Sequence, residues 1–232
     1  LIIIQTKKMW NQTGLIFKSH PWHGVPLGEH SPRIVTSYIE LVPGATVKYE
    51  LDKYTGYLKI DRPQAYSSVC PTLYGMLPQT FAGKRVAAHC NKMTGRTDIV
   101  GDNDPLDICV ITERIVTYGD ILVNCRPVGG LRMIDHGEAD DKIIAVMNDD
   151  LVYDEQNDIS KIPESIIRRL KHYFLTYKQN PDDNGKRKVE ITDIYGREEA
   201  YEIIRLGRLD YNEKYPGLSV ASASTRPDVE VD

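Results

Sequence analysis

The chain reads as an α+β protein, mainly β, with its strands first and its helices late. Three observations predict this. Short apolar runs bounded by turn residues recur from residue 34 to residue 147. Two helical patterns follow only after Pro163. Each of two tight acidic groups stands directly before an apolar run, the arrangement by which a sheet or barrel presents ligands at one rim.

The elements follow in order. Residues 1–32 lack clean periodicity and are expected to form an N-terminal arm, in which His20-Pro21-Trp22-His23-Gly24 is a turn-rich aromatic stretch. Whether residues 1–8 are native is left open by a Met at position 9. Ile34 to Val42 reads as a strand ending at the turn Pro43-Gly44. Val47 to Leu51 alternates apolar and charged, placing Val47, Tyr49 and Leu51 on one face and Lys48 and Glu50 on the other. Thr55-Gly56 turns the chain and Tyr57 to Arg62 returns as the second strand of a hairpin.

Pro63 to Pro78 reads as loop, and the polar residues 79–100 as a long surface loop. His89-Cys90 within it lacks partners at zinc spacing. Ile108 to Ile111, Ile115 to Thr117 and Ile121 to Cys125 read as consecutive short strands. Arg126 to Gly130 is expected to interrupt the pattern before Leu131 to Ile134 resumes it, and Ile143 to Met147 is a further buried strand. Asp149 to Asp158 reads as a surface loop. Pro163 to Lys178 is a helix with Ile166, Leu170, Phe174 and Tyr177 on its apolar stripe. Asn180 to Gly185 is a loop, Lys188 to Ile194 a strand and Gly196 to Tyr211 a second helix. Residues 217–232 read as a loosely held tail. With no repeat and no linker, 1–232 is expected to be a single domain.

Composition narrows the function. Charged residues make up 27% and the formal net charge is -4, so no global basic field points to nucleic acid. No run is long enough to cross a bilayer. Cys70, Cys90, Cys109 and Cys125 lack C-x-x-C spacing and are expected to be free buried thiols in a reducing cytoplasm.

The chemistry concentrates in Gly101-Asp102-Asn103-Asp104-Pro105-Leu106-Asp107. Carboxylates packed this tightly repel one another, so cations belong among them. Oxygen-only donors point to a hard ion, Mg²⁺ or Mn²⁺ before Zn²⁺. Asp135, Glu138, Asp140 and Asp141 form a second group, closed by Lys142. Lys48, Arg62, Lys142 and Lys178 supply positive charge from separate segments, and Tyr74 and Tyr177 supply hydroxyls. Metals with Lys and Arg around a small anionic site are the equipment of phosphoryl chemistry. No Walker A loop, G-x-G-x-x-G or kinase signature accompanies them. An EF-hand count from Asp102 fails, because position 6 is Asp107 rather than glycine. An OB-fold nucleic-acid binder would need a basic groove where this rim is acidic.

Asp102-Asn103-Asp104-Pro105-Leu106-Asp107 resembles the D-x-D-P-x-D signature of the soluble family I inorganic pyrophosphatases. Val47 to Lys53, Thr55-Gly56 and Asp61-Arg62 resemble that family's substrate-side hairpin. Cys125 to Gly130, Asp135 to Lys142, His172-Tyr173-Phe174 and Tyr177-Lys178 follow at its spacing, so the resemblance covers roughly residues 33–210. It implies a small closed OB-type β-barrel with flanking helices. It also implies Mg²⁺-dependent hydrolysis of pyrophosphate to two phosphates, with Mn²⁺ able to substitute, and a cytoplasmic homo-oligomer. By the same resemblance, Asp102, Asp107 and Asp140 hold the tightest Mg²⁺, and Asp107 also touches a second ion. Asp135 with Asp140, and Glu50, hold ions arriving with substrate. Lys48, Arg62, Tyr74, Lys142, Tyr177 and Lys178 contact the phosphates, Asp104 is the general base, and Glu40 is a further active-site carboxylate. Asp102 and Asp104 are expected to share one face of a short extended stretch. Two departures stand out: Cys70-Pro71 replaces a common Tyr-Pro, and the segment from Tyr74 to Asp102 is longer than in compact bacterial members.

Overall fold

The computed structural model describes residues 18–179 and 189–218. Most of the N-terminal arm, the loop at Asn180 to Gly185 and nearly all of the expected tail lie outside the described residues. Ten strands are described: β1 (Val35–Leu41), β2 (Val47–Leu51), β3 (Leu58–Pro63), β4 (Leu73–Met76), β5 (Val100–Gly101), β6 (Asp107–Ile111), β7 (Ile121–Asp135), β8 (Glu138–Ala139), β9 (Lys142–Met147) and β10 (Val189–Gly196). Three helices accompany them: α1 (Lys84–Thr94), α2 (Glu164–Thr176) and α3 (Arg197–Lys214).

β1 pairs β4, β4 pairs β6, β6 pairs β9 in parallel, β9 pairs β7, and β7 returns to β1. The ring therefore closes, as a small OB-type barrel requires, and no edge is left among these five strands. The apolar runs of β6 and β9 are continuous because both faces are covered. Ile108, Val110, Ile143 and Ala145 belong to one cluster with Ala200, Ile203 and Ile204 of α3. Cys109, Ile111, Ile144 and Val146 belong to another with Ile167, Leu170 and Phe174 of α2. The four cysteines are free and buried, as expected.

Four expectations change. Residues 79–100 are not a surface loop. They hold α1, whose Val86, Ala87 and Cys90 are buried and which ends at Gly95 in the left-handed region at φ 69°. The helix lacks a local side-chain cap; instead Asp210 of α3 accepts from the backbone N–H of Gly83, Arg85 and Val86. Arg126 to Gly130 does not break a strand. β7 runs fifteen residues, and the register shifts between Pro127 and Gly129 where proline removes a donor. Gly129 lets β10 approach, since a Cβ there would lie 2.4 Å from the Tyr195 carbonyl oxygen. Ile115 to Thr117 forms no strand, and Ile115 is exposed. Tyr74 lies not in a loop but in β4, where Gly75 passes so close to β1 that a Cβ would meet the Tyr38 carbonyl oxygen at 1.9 Å.

The described part of the N-terminal arm is pinned by Trp22. Its indole joins a cluster with Tyr38, Leu51, Met76, Phe81 and Tyr211, and its Nε1–H donates to the Thr80 carbonyl at 2.8 Å.

Candidate active site

Barrel pairing decides which side chains meet. The parallel register sets Asp107 of β6 beside Lys142 of β9, and β4 places Met76 opposite Asp107 on its other side. Lys142 Nζ donates to Asp107 Oδ2 at 2.5 Å and to Asp140 Oδ1. The Tyr74 hydroxyl donates to the same Asp107 oxygen at 2.6 Å. Burial opposes the charge on Lys142, but the carboxylates of Asp107 and Asp140 hold it well above the usual lysine range. At the end of β7, Asp135 accepts from Lys178 and from His136 Nδ1, the latter at 2.5 Å.

The acidic loop takes an unexpected path. Asn103 lies at φ 66°, a left-handed conformation that asparagine tolerates, and Asp102 Oδ1 accepts from the Asp104 N–H at 2.9 Å. Asp102 and Asp104 therefore do not alternate along an extended stretch; a side-chain turn brings them together. Ala82 clamps the loop, donating its N–H to the Asp104 carbonyl at 2.8 Å and accepting from the Asn103 N–H at 3.2 Å. Gly101 permits this approach, since a Cβ there would lie 2.1 Å from the Ala82 carbonyl oxygen. The longer segment between Tyr74 and Asp102 thus supports the acidic loop from behind.

The β2–β3 hairpin forms a separate two-stranded sheet. Its predicted charged face is the one that meets the site: Lys48 Nζ lies 3.1 Å from both Glu50 and Asp61. Behind it, buried Glu40 accepts from the Leu51 N–H at 2.7 Å.

These segments enclose a cavity of about 250 Å³. Its wall includes Glu40, Lys48, Glu50, Tyr74, Asp102, Asp104, Asp107, Asp135, Asp140, Lys142, Tyr177 and Lys178. Arg62 stands outside it, with its guanidinium 5.8 Å from the Tyr177 ring centroid and donating to Asp61. Two charged wall residues, Lys53 of the hairpin motif and Glu138 of the second acidic group, received no site role from the sequence. Lys53 belongs to the hairpin motif, but it lies past the end of β2, where strand alternation no longer says where it faces.

The charge balance is unfavourable for a structure held by protein groups alone. Burial, then the charge of Asp140, pushes the Asp102 carboxyl up to about 8. Burial pushes Glu40 up to about 8, with Asp107 and Glu50 adding to it. Asp140 rises to about 6 through burial, even though Lys142 opposes the rise. Among the described residues, no three Asp, Glu, His or Cys side chains already form a ligand group. Ammonium groups stand between the carboxylates instead, Lys142 between Asp107 and Asp140 above all. Oxygen-only donors short of positive charge fit a hard divalent cation.

The family model for inorganic pyrophosphatase matches residues 37–212, a span that contains every wall residue of the cavity. The chain belongs to the inorganic pyrophosphatase family. An inorganic pyrophosphatase of Chlamydia caviae is 50% identical over 199 residues, covering 84% of this chain and 92% of the relative. Soluble inorganic pyrophosphatase 1 of Arabidopsis thaliana is 37% identical over 187 residues, covering 81% and 77%. The crystal structure of inorganic pyrophosphatase from Thermus thermophilus superposes with a TM-score of 0.69 at 31% identity, covering 83% of this chain and 99% of that one. The chain is accordingly a hydrolase of the phosphoanhydride bond of pyrophosphate, in a metal-dependent family. No described helix is long and apolar enough to cross a membrane.

Proposed function

We propose that this cavity hydrolyses inorganic pyrophosphate to two phosphates by direct attack of water, with Mg²⁺ as the physiological cation and Asp104 as general base. The observation that carries the reading is the convergence on one small cavity of carboxylates and cations from separate segments of the chain. Asp102, Asp107 and Asp140 would hold the tightest Mg²⁺, with Asp107 shared with a second ion. Asp135 with Asp140, and Glu50, would take ions that enter with substrate. When bound, Mg²⁺ neutralises phosphate charge and makes a coordinated water more acidic.

The chain's own residues do the rest. Lys48, Lys142 and Lys178 offset the negative charge that would repel an incoming nucleophile, and Tyr74 and Tyr177 donate hydroxyl hydrogen bonds to phosphate oxygens. Arg62 reaches the substrate by turning from Asp61 past the Tyr177 ring. Asp104 receives the proton of the attacking water. Glu40 ties the hairpin to β1 by accepting from the Leu51 N–H, and burial keeps its carboxyl largely protonated near neutral pH in the metal-free protein. No covalent intermediate is required. Cytoplasmic residence, which the buried free thiols support, and homo-oligomerisation belong to the same reading.

The purified chain should release phosphate from pyrophosphate when Mg²⁺ is present and lose this activity on chelation. Phosphate monoesters should be poor substrates, because half of the phosphate-binding groups would have nothing to hold. Ca²⁺ should substitute badly, being larger and tolerant of irregular geometry. Equal rates with and without divalent metal, or equal rates on a monoester, would refute the reading. Light scattering tests the assembly.

A further inference from the structure

Lys53 is a cavity residue with no role assigned above. It sits in the turn between β2 and β3, on the element that carries Lys48 and Glu50. Its ammonium pairs with Oδ1 of Asp104, across the cavity mouth on a different segment, and lies 3.9 Å from Glu50 Oε1.

The turn that carries Lys53 is held from several sides. Asp52 Oδ1 accepts from the Thr55 N–H at 2.9 Å and from its hydroxyl at 2.8 Å, and Lys59 donates to Asp52 Oδ2 at 3.0 Å. The Lys53 carbonyl lies 3.2 Å from Nε2 of His20, in the arm. Gly56 makes room for that imidazole, since a Cβ there would meet His20 Cδ2 at 2.8 Å. The Lys53 backbone is therefore fixed against the protein body, and its side chain spans from a fixed point to the acidic loop. The loop is fixed at its own end by Ala82. Both side chains are partly solvent-exposed, and such a pair contributes little to stability. Its consequence is geometric: one carboxylate oxygen of Asp104 is taken, and the rotation that would carry the other out of the cavity is restrained.

We propose that Lys53 is a positioning residue for pyrophosphate hydrolysis, holding the Asp104 carboxylate from the substrate hairpin so that the hairpin and the base are set together. This rests on the reading of Asp104 as the base. Lys53 acts through Asp104 rather than by gripping a phosphate, as Lys48 is placed to do.

Steady-state kinetics of wild type, K53M, K53R, D104N and K53M/D104N at saturating Mg²⁺ separate the possibilities. K53M should lower kcat by about tenfold, a fraction of the roughly 10²–10⁴-fold that general-base catalysis supplies, while KM moves by less than about threefold. K53R should recover most of the loss. In the D104N background, K53M should cost less than about twofold, because the partner through which it acts is gone. A raised KM at unchanged kcat, or additive losses in the double variant, would overturn the proposal. Two readouts do not depend on turnover. Calorimetric Mg²⁺ titration of K53M should retain the tight site, and weakened tight binding would place Lys53 with the metal ligands instead. In ¹⁵N-lysine spectra of the metal-free protein, the ammonium signal lost in K53M should shift in D104N, and an unmoved signal would show that the pair does not form. If D104N retains wild-type kcat, Asp104 is not the base, a failure of the underlying reading that the ¹⁵N shift distinguishes from absence of the pair.

Discussion

Two carboxylate environments near the acidic loop, one around Asp210 and one around Asp102 and Asp140, meet opposite fates. Asp210 is 4% exposed and accepts from the N–H groups of Gly83, Arg85 and Val86 at 3.1, 2.9 and 3.2 Å, and from Arg85 Nη1 at 2.9 Å. Its charge is spread over donors that the start of α1 must satisfy in any case. Asp102 and Asp140 are only half-buried, the Asp140 side chain 15% exposed, yet they crowd one another, and partial burial together with that crowding drives Asp102 up to about 8. A carboxylate surrounded by fixed donors holds structure together. Carboxylates surrounded by one another hold a place for cations, at a cost to the metal-free fold.

Removing Asp210 should break the first half of this contrast most severely. Asp210→Ala leaves the N–H groups at the start of α1 and the Arg85 guanidinium without their acceptor, and should destabilise the protein by about 3 kcal/mol. Denaturant unfolding would measure the loss. A change below about 1 kcal/mol would mean that water replaces the cap without penalty. Because α1 starts just after Ala82, which clamps the acidic loop, the variant's activity should fall with temperature sooner than that of wild type.

Asp140→Asn sharpens the contrast by inverting its sign. Tight Mg²⁺ affinity should drop by roughly tenfold or more, on the scale of a lost oxygen ligand, when titrated calorimetrically. The metal-free thermal midpoint should hold or rise, since one of the crowded charges is gone while Lys142 keeps Asp107. Unchanged Mg²⁺ affinity would remove Asp140 from the metal site.

A third test is a pH dependence. Asp102 and Glu40 have their folded values raised to about 8 from ordinary values of 3.8 and 4.5. In such a case the folded form keeps protons that the unfolded chain has already released. Their contribution to stability is complete below about pH 4 and is lost as pH rises through about 8. In chelator, the thermal midpoint should therefore decline from pH 5 to pH 9. Asp102→Asn should flatten that decline, and saturating Mg²⁺ should abolish it. A midpoint that climbs across this range without metal would contradict the assignment of strain to these carboxylates.

The sequence by itself determined the order of elements through most of the barrel and named nearly the whole cavity wall. It could do so because local pattern carries that information. Alternation in Val47 to Leu51 sends Lys48 and Glu50 to one face, and the apolar runs of β6 and β9 announce strands covered on both sides. The acidic spacing from Asp102 to Asp107 and from Asp135 to Lys142 is likewise a property of adjacent residues, and with the hairpin motif it was enough to point to the family. Tertiary structure decided what depends on distant partners. The cap of α1 comes from Asp210, so nothing near residue 84 announces a helix. β4 is a strand because β1 and β6 flank it, and β7 runs on past Pro127 because β9 resumes pairing beyond the shift. The left-handed Asn103, clamped to Ala82, replaced the extended path expected between Asp102 and Asp104. The pairing of Lys53 with Asp104, fifty-one residues away, is a choice among many possible ion pairs. Charges select partners by distance through space, and those distances exist only once the barrel has closed.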